Sequence, residues 1–168
     1  MSYATHQQSG RSLTARCAIL TLSDTRTEST DASGRMIRDL LIPLGNTVEF
    51  YRIIPDDPTI FEPVLEQCLG DPSIDCILTN GGTGISGRDQ TIDVISRHLD
   101  HPLPGFGELF RMLSHAQIKS GAMLSRAVGG IAKGKLLFAM PGSTKAVELA
   151  MTQLILPEIG HLLSELRK

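Results

Sequence analysis

DCILTNGGTG, residues 75–84, is the stretch on which the fold turns. Its first half, DCILTN, is a short, largely apolar run of the kind that forms a strand covered on both faces, as in a parallel sheet. Its second half puts three glycines directly after that strand, where positive φ and close approach of backbone to a ligand become accessible. Upstream, RCAILTLS (residues 16–23) is another near-continuous apolar run that ends in polar residues, and NTVEFYRIIP (46–55) alternates as a second strand does. Between them lie a polar loop, 24–32, and a helical stripe of Met36, Ile37, Leu40, Leu41 and Leu44. Ser33 is the expected N-cap of that helix, and Pro43 with Gly45 ends it. Asp57-Pro58 opens the next helix, a cap followed by proline at the first position, running to about Leu69. Pro63 marks a kink there or a later start.

Downstream, helical patterns cover 91–98 and 107–117. AVGGIA and KLLFAM read as two strands joined at Lys133-Gly134 in a hairpin-like turn. Pro141-Gly142 ends the second, and Ser143 caps a helix bearing Val147, Leu149, Ala150, Leu154 and Ile155. A last helix, 157–166, carries Ile159, Leu162, Leu163 and Leu166. Strands alternating with helices predict an α/β fold, a mostly parallel sheet with helices on both faces. Ligands of such sheets bind beyond the carboxyl ends of the strands. The polar residues Ser23 and Asp24, the Pro55-Asp56-Asp57 group, the glycine cluster and Pro141-Gly142-Ser143 each follow a strand end, so all four are expected around one crevice.

The sequence has 168 residues, enough for one compact domain that buries roughly 70% of its unfolded surface without a disulfide or metal staple. Its first fifteen residues are polar and lack an apolar core segment, so they read as a flexible tail rather than a secretory signal, with one domain over 16–168. Sixteen Lys+Arg against eighteen Asp+Glu argue against a nucleic-acid partner. No apolar run approaches 18 residues, so no membrane span is expected, and the cytoplasm is the default location. Three cysteines without a CxxC pair argue against a disulfide framework and a cysteine-built zinc site; Cys17 and Cys76 read as core.

NGGTGISGRD, residues 80–89, is the strongest local signal for chemistry. Consecutive N–H groups of Gly81, Gly82, Thr83 and Gly84 can form an anion nest. Thr83 and Ser86 add hydroxyls, Arg88 offers a bidentate fork for phosphate, and Asp89 a carboxylate of the kind that holds magnesium beside phosphates. It is neither a P-loop nor GxGxxG. One of Asp56 and Asp57 caps the following helix; the other is either solvated or faces the same crevice as Asp89, where two carboxylates with phosphates would hold magnesium. MPGSTK, 140–145, sets a turn at a helix N-terminus, with Ser143, Thr144 and Lys145 placed for an anion. Phe106, Phe110 and Leu113 have the spacing of core or subunit interface. Ser125 and Arg126 open a strand, Arg126 as phosphate ligand or structural ion pair. The five histidines lack metal-ligand spacing, and no hydrolase triad stands out.

In combination these motifs resemble the MoaB/MogA family of molybdenum cofactor biosynthesis proteins. The matching residues are AILTLSD, DASG at 31–34, IIPDD at 53–57, GGTG and RDxT at 81–91, PGFGELFRMLS, LSRAVGG and MPGSTKAV. Together they span about residue 15 to the end, and the FGELFRMLS and PGSTK forms are most similar to the MoaB branch. The resemblance implies a three-layer α/β/α sandwich that binds molybdopterin. It implies Mg²⁺-dependent transfer of AMP from ATP to the terminal phosphate of molybdopterin, releasing pyrophosphate, in a homo-oligomer, trimer or hexamer, with handover to a molybdotransferase. Asp56 and Asp89 match the family's catalytic and metal-holding aspartates. Gly81, Gly82, Thr83 and Gly84 match one phosphate- or substrate-holding loop, and Pro141, Gly142, Ser143 and Lys145 the second. Asn80 stands where many members have threonine. The alternative on the same fold is a non-catalytic molybdopterin carrier or regulator.

Overall fold

A computed structural model describes residues 13–87 and 89–168. Its strands are β1 (Arg16–Leu22), β2 (Thr47–Ile54), β3 (Cys76–Asn80), β4 (His101–Pro102), β5 (Val128–Ala132) and β6 (Lys135–Met140). Its helices are α1 (Ala32–Leu41), α2 (Pro58–Gly70), α3 (Thr91–His98), α4 (Pro104–Ile118), α5 (Thr144–Ala150) and α6 (Leu156–Leu166). The strands form one sheet in the order β2-β1-β3-β6-β5-β4. The first four are mutually parallel, and β5 and β4 run antiparallel as a flank.

Side-chain alternation sorts the core into two layers. On β1, Cys17 and Ile19 face one side while Ala18, Leu20 and Leu22 face the other. On β6, Leu136, Phe138 and Met140 share the first side, Leu137 and Ala139 the second. The first side is covered by Ile37 and Leu41 of α1, Phe106 and Phe110 of α4, Val147 of α5 and Ile159 of α6. The second is covered by Phe61 and Leu65 of α2 and Ile92 and Ile95 of α3. The result is the three-layer α/β/α sandwich with a mostly parallel sheet. Phe106 and Phe110 are core, and Phe106 packs on Phe138 with ring centroids 5.0 Å apart. Cys17, Cys68 and Cys76 are free and buried, and burial pushes the Cys68 thiol up to about 11.

Several expectations shift, each for a local reason. The cap of α1 is Asp31, whose carboxylate accepts from the Gly34 N–H at 3.0 Å; the Ser33 hydroxyl is turned inward to Asn80 instead. Pro63 lies within an uninterrupted α2, its missing donor falling opposite Thr59 in the first turn. α4 begins at Pro104, three residues earlier than expected, with proline at its first position. Arg126 precedes β5 rather than opening it. The last two helices join through a π-helical turn, Met151–Ile155, where the Leu156 N–H bonds back to Met151. Pro157 lacks a donor, and one wide turn lets the chain continue past it. Short β4, and the 3₁₀ turn Lys119–Leu124, carry no periodicity that would have announced them. Most of the expected tail, residues 1–12, lies outside the described residues; of the rest, Ala15 is buried, its N–H donates to Asn46 Oδ1 at 2.8 Å, and Leu13 packs on the core. No helix among the described residues is long and apolar enough to cross a membrane.

Candidate functional site

The connection from β1 leads to β2 on one side, while β3 leads onward to the other, so the sheet reverses direction between β1 and β3. A crevice opens at such a reversal, beyond the carboxyl ends of the strands. The ends of β1, β2, β3 and β6 all point there, and hydrogen bonds tie them together. Ser23 N–H donates to Ile54 O at 2.8 Å, Asp56 N–H to Asp24 Oδ1 at 3.0 Å, and Gly81 N–H to Met140 O at 3.1 Å. The four clusters expected around one crevice are brought together.

The floor is the turn after β3. Gly81 and Gly82 have φ of +93° and +61°, in the left-handed region that a side chain disfavours. Space excludes a side chain as well. A Cβ on Gly82 would sit 2.8 Å from Asp56 Oδ1 and against Thr91. Asp56 therefore lies directly over the glycine turn, and its Oδ1 accepts from the Thr91 hydroxyl at 3.3 Å. The two neighbouring aspartates separate: Asp57 caps α2, accepting from the Thr59 N–H at 2.8 Å and hydroxyl at 2.7 Å, and those bonds hold it below the usual carboxylate range.

Asp89 closes the other end of the turn. A Cβ on Gly84 would lie 2.6 Å from Asp89 Oδ2, and that oxygen accepts from the Ser86 N–H at 3.0 Å and from the Ser86 hydroxyl. The Ser86 hydroxyl is the main cause that keeps Asp89 ionised below its ordinary range. Burial opposes it, and the Ser86 and Gly84 N–H groups and the charge of Arg126 add to it. The nest of N–H groups expected to hold phosphate is thus partly engaged by the chain's own carboxylate. Asp56 and Asp89 present two carboxylates to one short loop.

Arg126 holds this loop from behind. Its Nη1 donates to the carbonyls of Asp89 at 3.1 Å and Gly84 at 3.3 Å, and its Nη2 pairs with Asp93 at 2.7 Å. These contacts tie Arg126 to the backbone at both ends of the loop and to Asp93. Ser125 contributes its carbonyl, which accepts from Arg111 at 3.4 Å. Pro141, Gly142 and Ser143 form the turn facing Gly81, and Ser143 Oγ accepts from the Ala146 N–H at 3.2 Å. Lys145 lines a groove between α4 and α5 with Gln117 and Glu148, and the residues lining that groove include none from the glycine turn. Ser23 and Asp24 line a cavity of about 490 Å³ with Arg26, Tyr51 and Arg52, on the β2 side of the crevice. Thr83 is buried. Arg88 lies outside the described residues.

Beneath the crevice sits a buried polar cluster that sequence reasoning did not assign. Asp31, Ser33, Thr21 and Asn80 are fully buried. Asp31 accepts from the Tyr51 hydroxyl at 2.6 Å and pairs with Arg26 Nη1 at 3.2 Å. Ser33 Oγ donates to Asn80 Oδ1 at 2.8 Å, and Asn80 Nδ2 donates to Thr21 Oγ1 at 2.9 Å. Burial alone would raise the Asp31 pKa, but hydrogen bonds from Thr21, Tyr51, Gly34 and Ser33 together hold it below the ordinary range. Burial, then the bond to Asp31, pushes the Tyr51 phenol upward. Asp three residues before the Gly34 donor is a capping signal that identifies Asp31; Arg26 and Tyr51 carry no such signal.

Asp56 and Asp89 suit a hard cation. No cluster of three or more metal-ligating side chains occurs among the described residues. Mg²⁺ takes one or two carboxylates and completes its shell with water and substrate phosphates, so the oxygen donors of Asp56 and Asp89 beside the glycine turn are of the type it accepts.

Residues 18–161 match the family model described as "Probable molybdopterin binding domain". The chain is 50% identical to the molybdenum cofactor biosynthesis protein B of Halalkalibacterium halodurans, with 92% of each chain covered. It is 43% identical to the protein of the same name from Bacillus subtilis, across 100% of this chain and 99% of that one. Among solved structures, the tungsten cofactor synthesizing protein MoaB from Pyrococcus furiosus superposes with a TM-score of 0.80 at 35% identity, covering 92% of this chain and 98% of that one. A crystal structure of a molybdenum cofactor biosynthesis protein B reaches 0.89 at 49% identity, covering 92% and 97%. With these likenesses spanning nearly its whole described length, the chain belongs to the MoaB/MogA family of molybdenum cofactor biosynthesis proteins.

Proposed function

We propose that this chain is a molybdopterin adenylyltransferase: it transfers AMP from ATP to the terminal phosphate of molybdopterin. The observation that carries this reading is the placement of Asp56 and Asp89 against one glycine turn, Asp56 over Gly82 and Asp89 over Gly84. An oxygen of the pterin phosphate attacks the α-phosphorus of ATP. The bond from that phosphorus to the bridging oxygen breaks, and pyrophosphate leaves with the electron pair. No covalent enzyme intermediate is needed, so the rate must come from positioning and from neutralising phosphate charge.

Asp56 and Asp89 would hold Mg²⁺, which when bound offsets negative charge on the phosphate oxygens. The remaining N–H groups of the glycine turn and the Gly142-Ser143 turn orient the anions. Arg126 keeps the Gly84 and Asp89 carbonyls, and so the Asp89 backbone, in place. Use of ATP places the reaction in the cytoplasm, and the adenylylated pterin is the form handed to a molybdotransferase. We also propose a homo-oligomer, trimer or hexamer. Leu109, Met112, Ile118, Met123 and Leu124 are each 46–78% exposed on α4 and the turn after it, a concentration of apolar surface that suits subunit contact.

The test compares Asp89→Asn and Asp56→Asn with wild type in Mg²⁺-dependent AMP transfer. On this reading each variant loses at least about a hundredfold in kcat while pterin binding persists. Full turnover by Asp89→Asn would refute its role. Pterin binding by the wild type without any ATP cleavage would identify a carrier.

A further inference from the structure

We propose that Arg26 is a positioning residue for this reaction, a latch that sets the spacing between the turn after β6 and the glycine turn after β3. The inference rests on the adenylyltransferase reading for its kinetic consequence and on geometry alone for its structural one.

Arg26 lies in the loop after β1, and its guanidinium reaches in two directions. Nη1 pairs with Asp31 Oδ1 at 3.2 Å and donates to Ser33 Oγ; Nη2 donates to the Gly142 carbonyl at 2.8 Å, across 116 residues of chain. Its own backbone is pinned as well, the Arg26 N–H donating to Ser23 Oγ at 3.2 Å. Asp31 cannot drift, because it caps α1 and accepts from Tyr51. Ser33 bonds to Asn80, the residue immediately before Gly81. Arg26 is therefore joined to the base of the glycine turn on one side and directly to the Gly142 turn on the other.

Those two turns touch. Gly81 N–H donates to Met140 O at 3.1 Å, and a Cβ on Gly142 would lie 3.1 Å from Gly81 Cα and 3.8 Å from Arg26 Nη2. The loops that hold the substrates' phosphates thus meet backbone to backbone, with one guanidinium fixing the carbonyl at the contact. Only a planar fork serves partners that diverge in this way; a lysine ammonium is a single point on a flexible stem. The ion pair draws on a carboxylate with no exposure, so solvent does not compete at the Asp31 end.

The test measures Arg26→Lys and Arg26→Ala beside wild type. Readouts are kcat and KM for Mg-ATP and molybdopterin, and amide hydrogen exchange at residues 81–84 and 142–145. Misplacement of the two turns by a fraction of an ångström to one ångström is expected to lower kcat about 10- to 100-fold, with both KM values within about twofold of wild type. Exchange at both turns should rise by about tenfold. Millimolar guanidinium ion should restore part of the kcat of Arg26→Ala. A raised KM with unchanged kcat would overturn the proposal by making Arg26 a substrate contact. Unchanged kcat and KM with lowered thermal stability would reduce it to a structural pair. If wild type transfers no AMP, the reaction assigned above fails, and exchange still decides the latch: turns equally protected in Arg26→Lys and wild type would overturn it.

Discussion

Replacing Tyr51 by phenylalanine isolates what holds the floor of the crevice together. The Tyr51 hydroxyl donates at 2.6 Å to Asp31, a carboxylate with no exposure whose other partners are the Gly34 N–H, Ser33 and Arg26. A hydrogen bond to a charged group contributes about 1.5–3 kcal/mol, and phenylalanine keeps the ring while removing only the donor. Tyr51 is half-buried, so water can recover part of that loss, and a cost of about 2 kcal/mol at pH 7 is expected. For a chain of this length that corresponds to a fall of roughly 4–8 °C in Tm. The pH dependence adds a second check. Asp31 has a depressed pKa, so its contribution to stability is present above the unfolded carboxylate value and is lost as pH falls through the folded one. Tyr51→Phe removes one of the bonds that depress it, so the acid-induced loss, which opens near the unfolded carboxylate value in both proteins, should be smaller in the variant than in wild type. The gap between the two proteins should narrow once Asp31 is protonated in both. Urea unfolding of the two proteins from pH 7 down to about pH 3, below the ordinary carboxylate pKa, reads both effects. A gap below about 0.5 kcal/mol at pH 7, or one that does not change with pH, would refute this view of the cluster.

Three further outcomes follow from other parts of the fold. Gly82→Ala must place a methyl at positive φ and against Asp56 and Thr91; AMP transfer should fall by at least about tenfold through displacement of Asp56, and unimpaired kinetics would show that the turn tolerates a side chain. Thr79 Oγ1 is buried without a hydrogen-bond partner among the described residues, so Thr79→Val, which keeps the shape, should raise stability by about 1 kcal/mol; destabilisation in urea melts would reveal a partner such as bound water. Met112→Lys with Met123→Glu charges the exposed apolar surface of α4 and the turn after it; sedimentation should show smaller assemblies than wild type, and an unchanged assembly would move the subunit contact elsewhere.

The parallel core was legible because buried strands leave continuous apolar runs, as RCAILTL and CILTN do. Helix starts were legible where proline followed a capping residue, as at Asp57-Pro58. That carboxylates would gather near the glycine turn was legible because they follow strand ends that the sheet brings together; spacing alone left Asp56 and Asp57 open, and only the resemblance singled out Asp56. The contacts of Arg126 and Lys145 were not legible in the sequence. A cation's sequence position does not say which way a long side chain turns: Arg126 is engaged by loop carbonyls and Asp93, and Lys145 lines a different groove. The Arg26–Asp31–Tyr51 cluster depends on contacts spanning from 5 to 116 residues, and no local spacing encodes them. Ser33 lost its expected capping role for the same reason, since a buried partner, Asn80, competes for its hydroxyl.

The most direct measurement is a single-turnover reaction of the wild-type protein with ATP labelled at the α-phosphate, Mg²⁺ and molybdopterin. Adenylyl transfer between Asp56, Asp89 and the two glycine-bearing turns predicts labelled pterin and pyrophosphate appearing in equal amounts, and neither without Mg²⁺. Tight pterin binding with the label remaining entirely in ATP would contradict it.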